Sequence, residues 1–249
     1  MMPRRHLLAA ALAAVAVSSV GCSFGCGLER KNPDGSVTSV YQNPGATVPA
    51  VSARESSSTP TTKVDARPRV VVLGDSLTAG LGLSPEQAYP SLLQQKIDQA
   101  SLGMQVVNAG VSGDTSAGGL SRVDWALEGD VRVMVVALGG NDALRGLPVE
   151  ELRKNLATII ERAQARKVRV ILAGMEAPPN FGQSYTDAFR RVYTELAAQY
   201  KVPLIPFLLQ GVAGIERLNQ RDGIHPTAEG ARMVADNVWT VLRPMLKTP

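Results

Sequence analysis

Among side chains able to do acid–base work near neutral pH, the 249-residue chain holds only two histidines, and His6 lies in an amino-terminal stretch that reads as an export signal. A hydroxyl nucleophile in the remainder that depends on an imidazole base must therefore use His225. It lies in Asp222-Gly223-Ile224-His225-Pro226, ahead of an amphipathic stretch. The three-residue spacing lets a turn return the Asp222 carboxylate to the ring nitrogen that faces away from a nucleophile, which fixes tautomer and orientation. The hydroxyl is offered by Ser76 in Gly74-Asp75-Ser76-Leu77, directly after the apolar run Val70-Val71-Val72-Leu73. A serine at the carboxyl end of a buried strand stands where open α/β sheets bind ligands. Singly, each residue has an ordinary explanation: Asp-Gly is a common turn pair, and a loop histidine caps helices. Their joint occurrence points to acyl transfer.

Acyl transfer also requires hydrogen-bond donors aimed at the oxygen that becomes negative in the tetrahedral intermediate. Two further loops follow strand-like runs, Asn108-Ala109-Gly110-Val111-Ser112-Gly113-Asp114-Thr115-Ser116 and Gly139-Gly140-Asn141-Asp142. Gly113 can present its N–H, Asn141 its side-chain amide, and Ser76 its own backbone N–H. Asp75, Asp114 and Asp142 suit turns or helix caps, and none is required as acid or base.

The elements that must position these residues are β-branched runs at 70–73, 104–107, 131–138, 168–173 and 202–207, separated by amphipathic stretches. Nearly continuous apolar strands with helices between them predict a parallel sheet covered on both faces. Ser84-Pro85-Glu86-Gln87 carries the signature of a capping box ahead of a helix at 89–100, which Pro90 would interrupt or delay. Helices follow from 148, with Leu152, Leu156, Ile159, Ile160 and Ala163 on one face, and at 185–200 and 227–246. The expected fold is a three-layer α/β domain over 68–247 with five parallel strands and helices on both faces. No internal repeat or second domain is evident.

The amino-terminal quarter reads differently. Arg4 and Arg5 precede an uncharged small-and-apolar run at 7–20, too short to span a bilayer, so 1–21 is read as a signal peptide. Cys22 follows small residues at the expected cleavage point. The stretch resembles a bacterial lipoprotein signal in which that cysteine is acylated, although Ser19 stands where leucine is usual. The alternatives are a Cys22–Cys26 disulfide or removal of both with the signal. Residues 22–67, with Ser56-Ser57-Ser58-Thr59-Pro60-Thr61-Thr62, are read as a flexible tether. No cysteine follows Cys26, which excludes a thiolate nucleophile or metal site in the folded part. The formal charge of +4 is scattered and includes Arg4 and Arg5, so nucleic-acid binding has no support.

The Gly74-Asp75-Ser76-Leu77 block, the Gly113 loop, Gly139-Gly140-Asn141-Asp142 and Asp222-Gly223-Ile224-His225-Pro226 together resemble, in order and context, the SGNH or GDSL hydrolase superfamily. The stretches 108–116, 138–146, 177–185 and 202–207 look like its bacterial acyl-CoA thioesterase I, lysophospholipase and arylesterase group, which is periplasmic. The resemblance covers about 69–246. It implies a flavodoxin-like sheet, a Ser76–His225–Asp222 triad, an oxyanion hole from Ser76, Gly113 and Asn141, and no metal or other cofactor. It also implies a loop at 143–148 that moves when an acyl chain binds. An acyl chain would lie along Leu144, Arg145, Gly146, Leu147, Pro148, Pro178, Pro179 and Phe181. The expected activity is hydrolysis of small-molecule or lipid acyl esters and thioesters by a monomer. A carbohydrate or peptidoglycan O-acetyl esterase would share every catalytic residue and differ in its pocket, while an exported binding module would not require the whole set.

Overall fold

The computed structural model describes residues 67–247. The stretch read as an export signal, Cys22 and all of the expected 22–67 tether except Arg67 lie outside the described residues. The five expected strands form one wholly parallel sheet, β1 Arg69–Gly74, β2 Gln105–Gly110, β3 Val131–Ala137, β4 Arg169–Ala173 and β5 Leu204–Ile205, in the order β2-β1-β3-β4-β5. This is the flavodoxin-like order, whose crevice opens where the chain leaves β1 in one direction and β3 in the other. Register places Gly74 beside both Gly110 and Ala137. The segments leading to Ser76, Gly113 and Asn141 therefore leave the same edge.

β1, β3 and β4 are buried almost throughout, as their unbroken apolar runs require. The two outer strands depart from expectation. β2 extends through Gly110, so Asn108 belongs to an edge strand, where it is exposed, and the loop begins only at Val111. β5 contracts to two residues because Pro203 and Pro206 bracket it and have no N–H for a ladder.

Eight helices are described: α1 Ser76–Ala79, α2 Tyr89–Gln99, α3 Ser116–Ser121, α4 Val123–Ala126, α5 Gly140–Leu144, α6 Val149–Ala165, α7 Gln183–Tyr200 and α8 Ala228–Leu246. α2 packs with α8, and α6 with α3 and α7, giving the two helical layers. Pro90 does not interrupt α2, because it falls in the first turn, where its missing N–H has no partner to lose. The capping box instead closes a separate 3₁₀ turn, Pro85–Gln87, with the Ser84 N–H donating to Gln87 Oε1 at 3.3 Å. Leu152, Leu156, Ile159, Ile160 and Ala163 of α6 are all buried. Among the described residues no helix is long and apolar enough to cross a membrane.

Where β2 ends, the backbone of α1 comes so close that only glycine fits: a Cβ on Gly110 would stand 2.3 Å from Ala79 N and 2.7 Å from the Thr78 carbonyl carbon. Backbone atoms cannot swing aside as a side chain can. Gly110→Ala should therefore cost about 1–3 kcal/mol and displace α1, lowering the urea midpoint. An unchanged midpoint would show that the two segments are not held against each other.

Candidate active site

Asp75 starts the site by capping α1: its Oδ1 accepts the Leu77 N–H at 3.0 Å, which turns the chain sharply at the end of β1 and leaves Ser76 as the first helical residue. The partners of Ser76 come from the far end of the domain. The Ile224 and His225 N–H groups both donate to Asp222 Oδ1, at 2.9 and 3.0 Å, and Gly223 takes the positive φ of 70° that this turn requires. The turn leaves Asp222 Oδ2 2.7 Å from His225 Nδ1, and His225 Nε2 lies 2.8 Å from Ser76 Oγ.

The protonation pattern follows from the carboxylate. Those backbone hydrogen bonds, aided by the imidazole, hold Asp222 down at about 2, although its side chain is 44% exposed. It is an ionised acceptor at any working pH, so Nδ1 carries the hydrogen of a neutral imidazole and Nε2 presents a lone pair to the Ser76 hydroxyl. The arrangement can take a proton from Ser76 and return it to a leaving group. Gln220 braces the turn against the nucleophile's side of the cleft: its Nε2 donates to Leu81 O at 2.8 Å and to Pro226 O at 2.9 Å.

The expected oxyanion donors gather around Ser76. Gly113 has a φ of 86°, and its N–H and that of Ser76 are not taken by any acceptor within the described residues. The Asn141 amide is already engaged, donating to Asp114 O at 2.9 Å and to Asp75 Oδ2 at 3.3 Å. The second contact is the longer and weaker, and it is the one that a developing oxyanion would compete for.

Residues 72–233 match the GDSL-like lipase/acylhydrolase family. The chain belongs to that family. It is 44% identical to esterase TesA of Pseudomonas aeruginosa over 178 residues, covering 71% of this chain and 89% of the relative. It is 36% identical to thioesterase 1/protease 1/lysophospholipase L1 of Escherichia coli over 178 residues, with 71% and 84% covered. A crystal structure of TesA superposes with a TM-score of 0.69, covering 71% of this chain and 99% of the other. The protein is thus a serine hydrolase of the SGNH type.

In this GDSL hydrolase the cleft beside Ser76 and His225 is a cavity of about 580 Å³. Of the residues expected to hold an acyl chain, Leu144, Pro178 and Pro179 line it. The others stand behind or beside that wall. Arg145 donates to Gly113 O at 2.8 Å, and Tyr185 donates to Leu147 O at 2.8 Å. Pro148 precedes α6, while Phe181 packs against Tyr185, with ring centres 5.3 Å apart, and covers Gly146. Sequence reasoning missed the rest of the apolar lining, Leu81, Met175, Phe207, Leu209 and Ile224. Its only signal was an apolar character that ordinary core residues share.

The three aspartates assigned to turns and caps do more than that. Asp142 is 2% exposed and accepts both the Ser116 N–H, at 2.8 Å, and its Oγ–H, at 2.5 Å, tying α5 to the Gly113 loop. Asp114 forms an ion pair with Arg122 at 2.7 Å. Asp75 does cap α1, but it is 3% exposed, and burial pushes its carboxyl up to about 6 against the opposing pull of the Leu77 N–H and of His225. Its ordinary value is 3.8, so between about pH 4 and pH 6 the unfolded chain has released this proton while the folded chain keeps it. Stability on this account falls as pH rises through that window, by about 3 kcal/mol at most, and is level above it. Asp75→Asn, which keeps an oxygen for Leu77, should remove that slope: the variant gains on the wild type from pH 4 to 6 in urea titrations. Parallel curves would contradict it.

Proposed function

We propose that the protein hydrolyses medium- to long-chain acyl esters and thioesters through an acyl-enzyme on Ser76. His225 Nε2 takes the hydroxyl proton as Oγ attacks the acyl carbon, and Asp222 stabilises the imidazolium that results. The carbonyl oxygen gains the negative charge and draws hydrogen bonds from the N–H groups of Ser76 and Gly113 and from the Asn141 amide; such donors are each worth about 10²–10³ in turnover. Collapse of the intermediate breaks the bond to the leaving alcohol or thiol, which takes the proton from His225. Water then repeats the sequence: His225 removes its proton, the oxygen attacks the acyl carbon, and Ser76 Oγ leaves with that proton. Residues of this chain supply every step.

The cleft carries the choice of acyl group. Its volume of about 580 Å³ far exceeds what an acetyl group fills, and Leu144, Met175, Pro178, Phe207, Leu209 and Ile224 contribute apolar lining. This supports a fatty acyl substrate over a carbohydrate O-acetyl ester, which would call for polar contacts to a sugar. The esterase, thioesterase and lysophospholipase activities in the relatives' names point the same way. The first 22 residues support export and attachment to a membrane through acylated Cys22. An exported enzyme meets lysophospholipids or exogenous esters rather than cytoplasmic acyl-CoA.

Hydrolysis of p-nitrophenyl esters from acetyl to palmitoyl tests this reading. Each methylene buried in the cleft is worth about 0.8 kcal/mol, so kcat/KM should climb up to about fourfold per methylene until the cavity is filled. Ser76→Ala should abolish turnover throughout. An optimum at acetyl would overturn the fatty-acyl assignment, and turnover retained in Ser76→Ala would overturn the mechanism.

A further inference from the structure

Arg122, the residue between α3 and α4, has no place in the sequence reading, yet its guanidinium binds a different piece of the site with each of its three nitrogens. Nη2 donates to Gly74 O at 2.8 Å, at the end of β1 and two residues before the nucleophile. Nη1 donates to Ala109 O at 2.7 Å, near the end of β2. Nε donates to Asp114 Oδ2 at 2.7 Å, one residue beyond Gly113. The Asp114 backbone carbonyl in turn accepts the Asn141 amide. Arg122 and Asp114 are 18% and 17% exposed, which places the pair largely out of water, where a planar fork with fixed donors defines geometry.

We infer that Arg122 is a positioning residue that sets the mutual placement of the three oxyanion donors, the N–H groups of Ser76 and Gly113 and the side-chain amide of Asn141. The inference rests on the acyl-transfer reading above. The backbone carbonyls that Arg122 holds belong to the adjacent strands β1 and β2, and the carboxylate it pairs with belongs to the loop that follows β2. Without the guanidinium, Gly74 O keeps one other partner, the Val111 N–H at 3.0 Å, so the strands and the start of the loop remain joined while Asp114, the residue beside Gly113, loses its side-chain tie to them. Of the loop's other anchors, Asp142 on Ser116 and Arg145 on Gly113 O hold it to α5 and its C-terminal end, and Asn141 on Asp114 O reaches the nucleophile turn only through its longer contact with Asp75 Oδ2 at 3.3 Å. Arg122 does not line the cavity, so it acts on the transition state through donors that the bound substrate uses only weakly.

Steady-state kinetics with p-nitrophenyl butyrate, together with inhibition by an alkyl trifluoromethyl ketone, whose hemiketal oxygen mimics the oxyanion, tests this. For Arg122→Ala, kcat per folded molecule should fall about 10²-fold, the scale of a displacement near 1 Å at the reacting centre. KM should stay within about threefold, and inhibitor affinity should weaken by the same factor as kcat, because both depend on the oxyanion donors. Arg122→Lys restores the charge beside Asp114 but not the fork, so it should recover part of the loss. Should Arg122→Ala fail to fold, Asp114→Asn removes the ion pair alone and should lower kcat and inhibitor affinity together by about tenfold. Unchanged kcat per folded molecule, or a fall in kcat with inhibitor affinity intact, overturns the inference. A wild type without Ser76-dependent turnover would overturn the acyl-transfer reading itself, whereas an active wild type with an equally active Arg122→Ala overturns only the role of Arg122.

Discussion

The hydrogen-bond chain from Asp222 through His225 to Ser76 joins residues 149 positions apart, and most of the fold can be understood as what keeps its two ends in register. Ser76 is placed by β1, the interior β-branched strand against which β2 and β3 both pair. His225 is placed by a turn closed on its own aspartate and braced by Gln220 against Leu81, just beyond α1. A neutral imidazole with its hydrogen on Nδ1 is useful only if its other nitrogen meets the hydroxyl, so an error of an ångström in either loop removes the base.

Around that chain the domain buries charge, which apolar packing of the same volume would not require. Asp75 and Asp142 are almost inaccessible, and Asp114 is paired with Arg122 in a largely dry setting. Each carboxylate accepts from a backbone N–H or from a side chain of a neighbouring loop: Leu77 and Asn141 for Asp75, Ser116 for Asp142, Arg122 for Asp114. These contacts fasten loops whose own sequences, rich in glycine and serine, carry few apolar anchors besides Leu77 and Ala143. Directional bonds between buried polar groups hold what hydrophobic packing cannot, and the raised proton affinity of Asp75 is the cost that shows.

Strands and the long helices were legible because their apolar periods extend over enough residues to be counted, and the Asp222–His225–Ser76 hydrogen-bond chain was legible because Asp222 and His225 lie in one turn and no other histidine competes among the described residues. The cavity, the short helices and the polar ties were not. α1, α3, α4 and α5 are four to six residues long, too short to display a period. Arg122 meets Gly74 across 48 positions, and nothing local marks an arginine in Gly118-Gly119-Leu120-Ser121-Arg122 as a strut. Phe207, Leu209 and Ile224 all lie in the long connection from β5 to α8, which has no period to show that it runs along the cavity. The two-residue β5 is an intermediate case: Pro203 and Pro206 announced its limits, and the β-branched run around them read longer.

The central claim, that His225 activates Ser76 as the nucleophile, is tested most directly by intact-protein and peptide mass spectrometry after brief exposure to an alkyl fluorophosphonate. One adduct should form on the peptide that contains Ser76, and His225→Ala should label far more slowly although its fold is kept. Labelling on another residue, or equal labelling of Ser76 without the imidazole, would contradict the account.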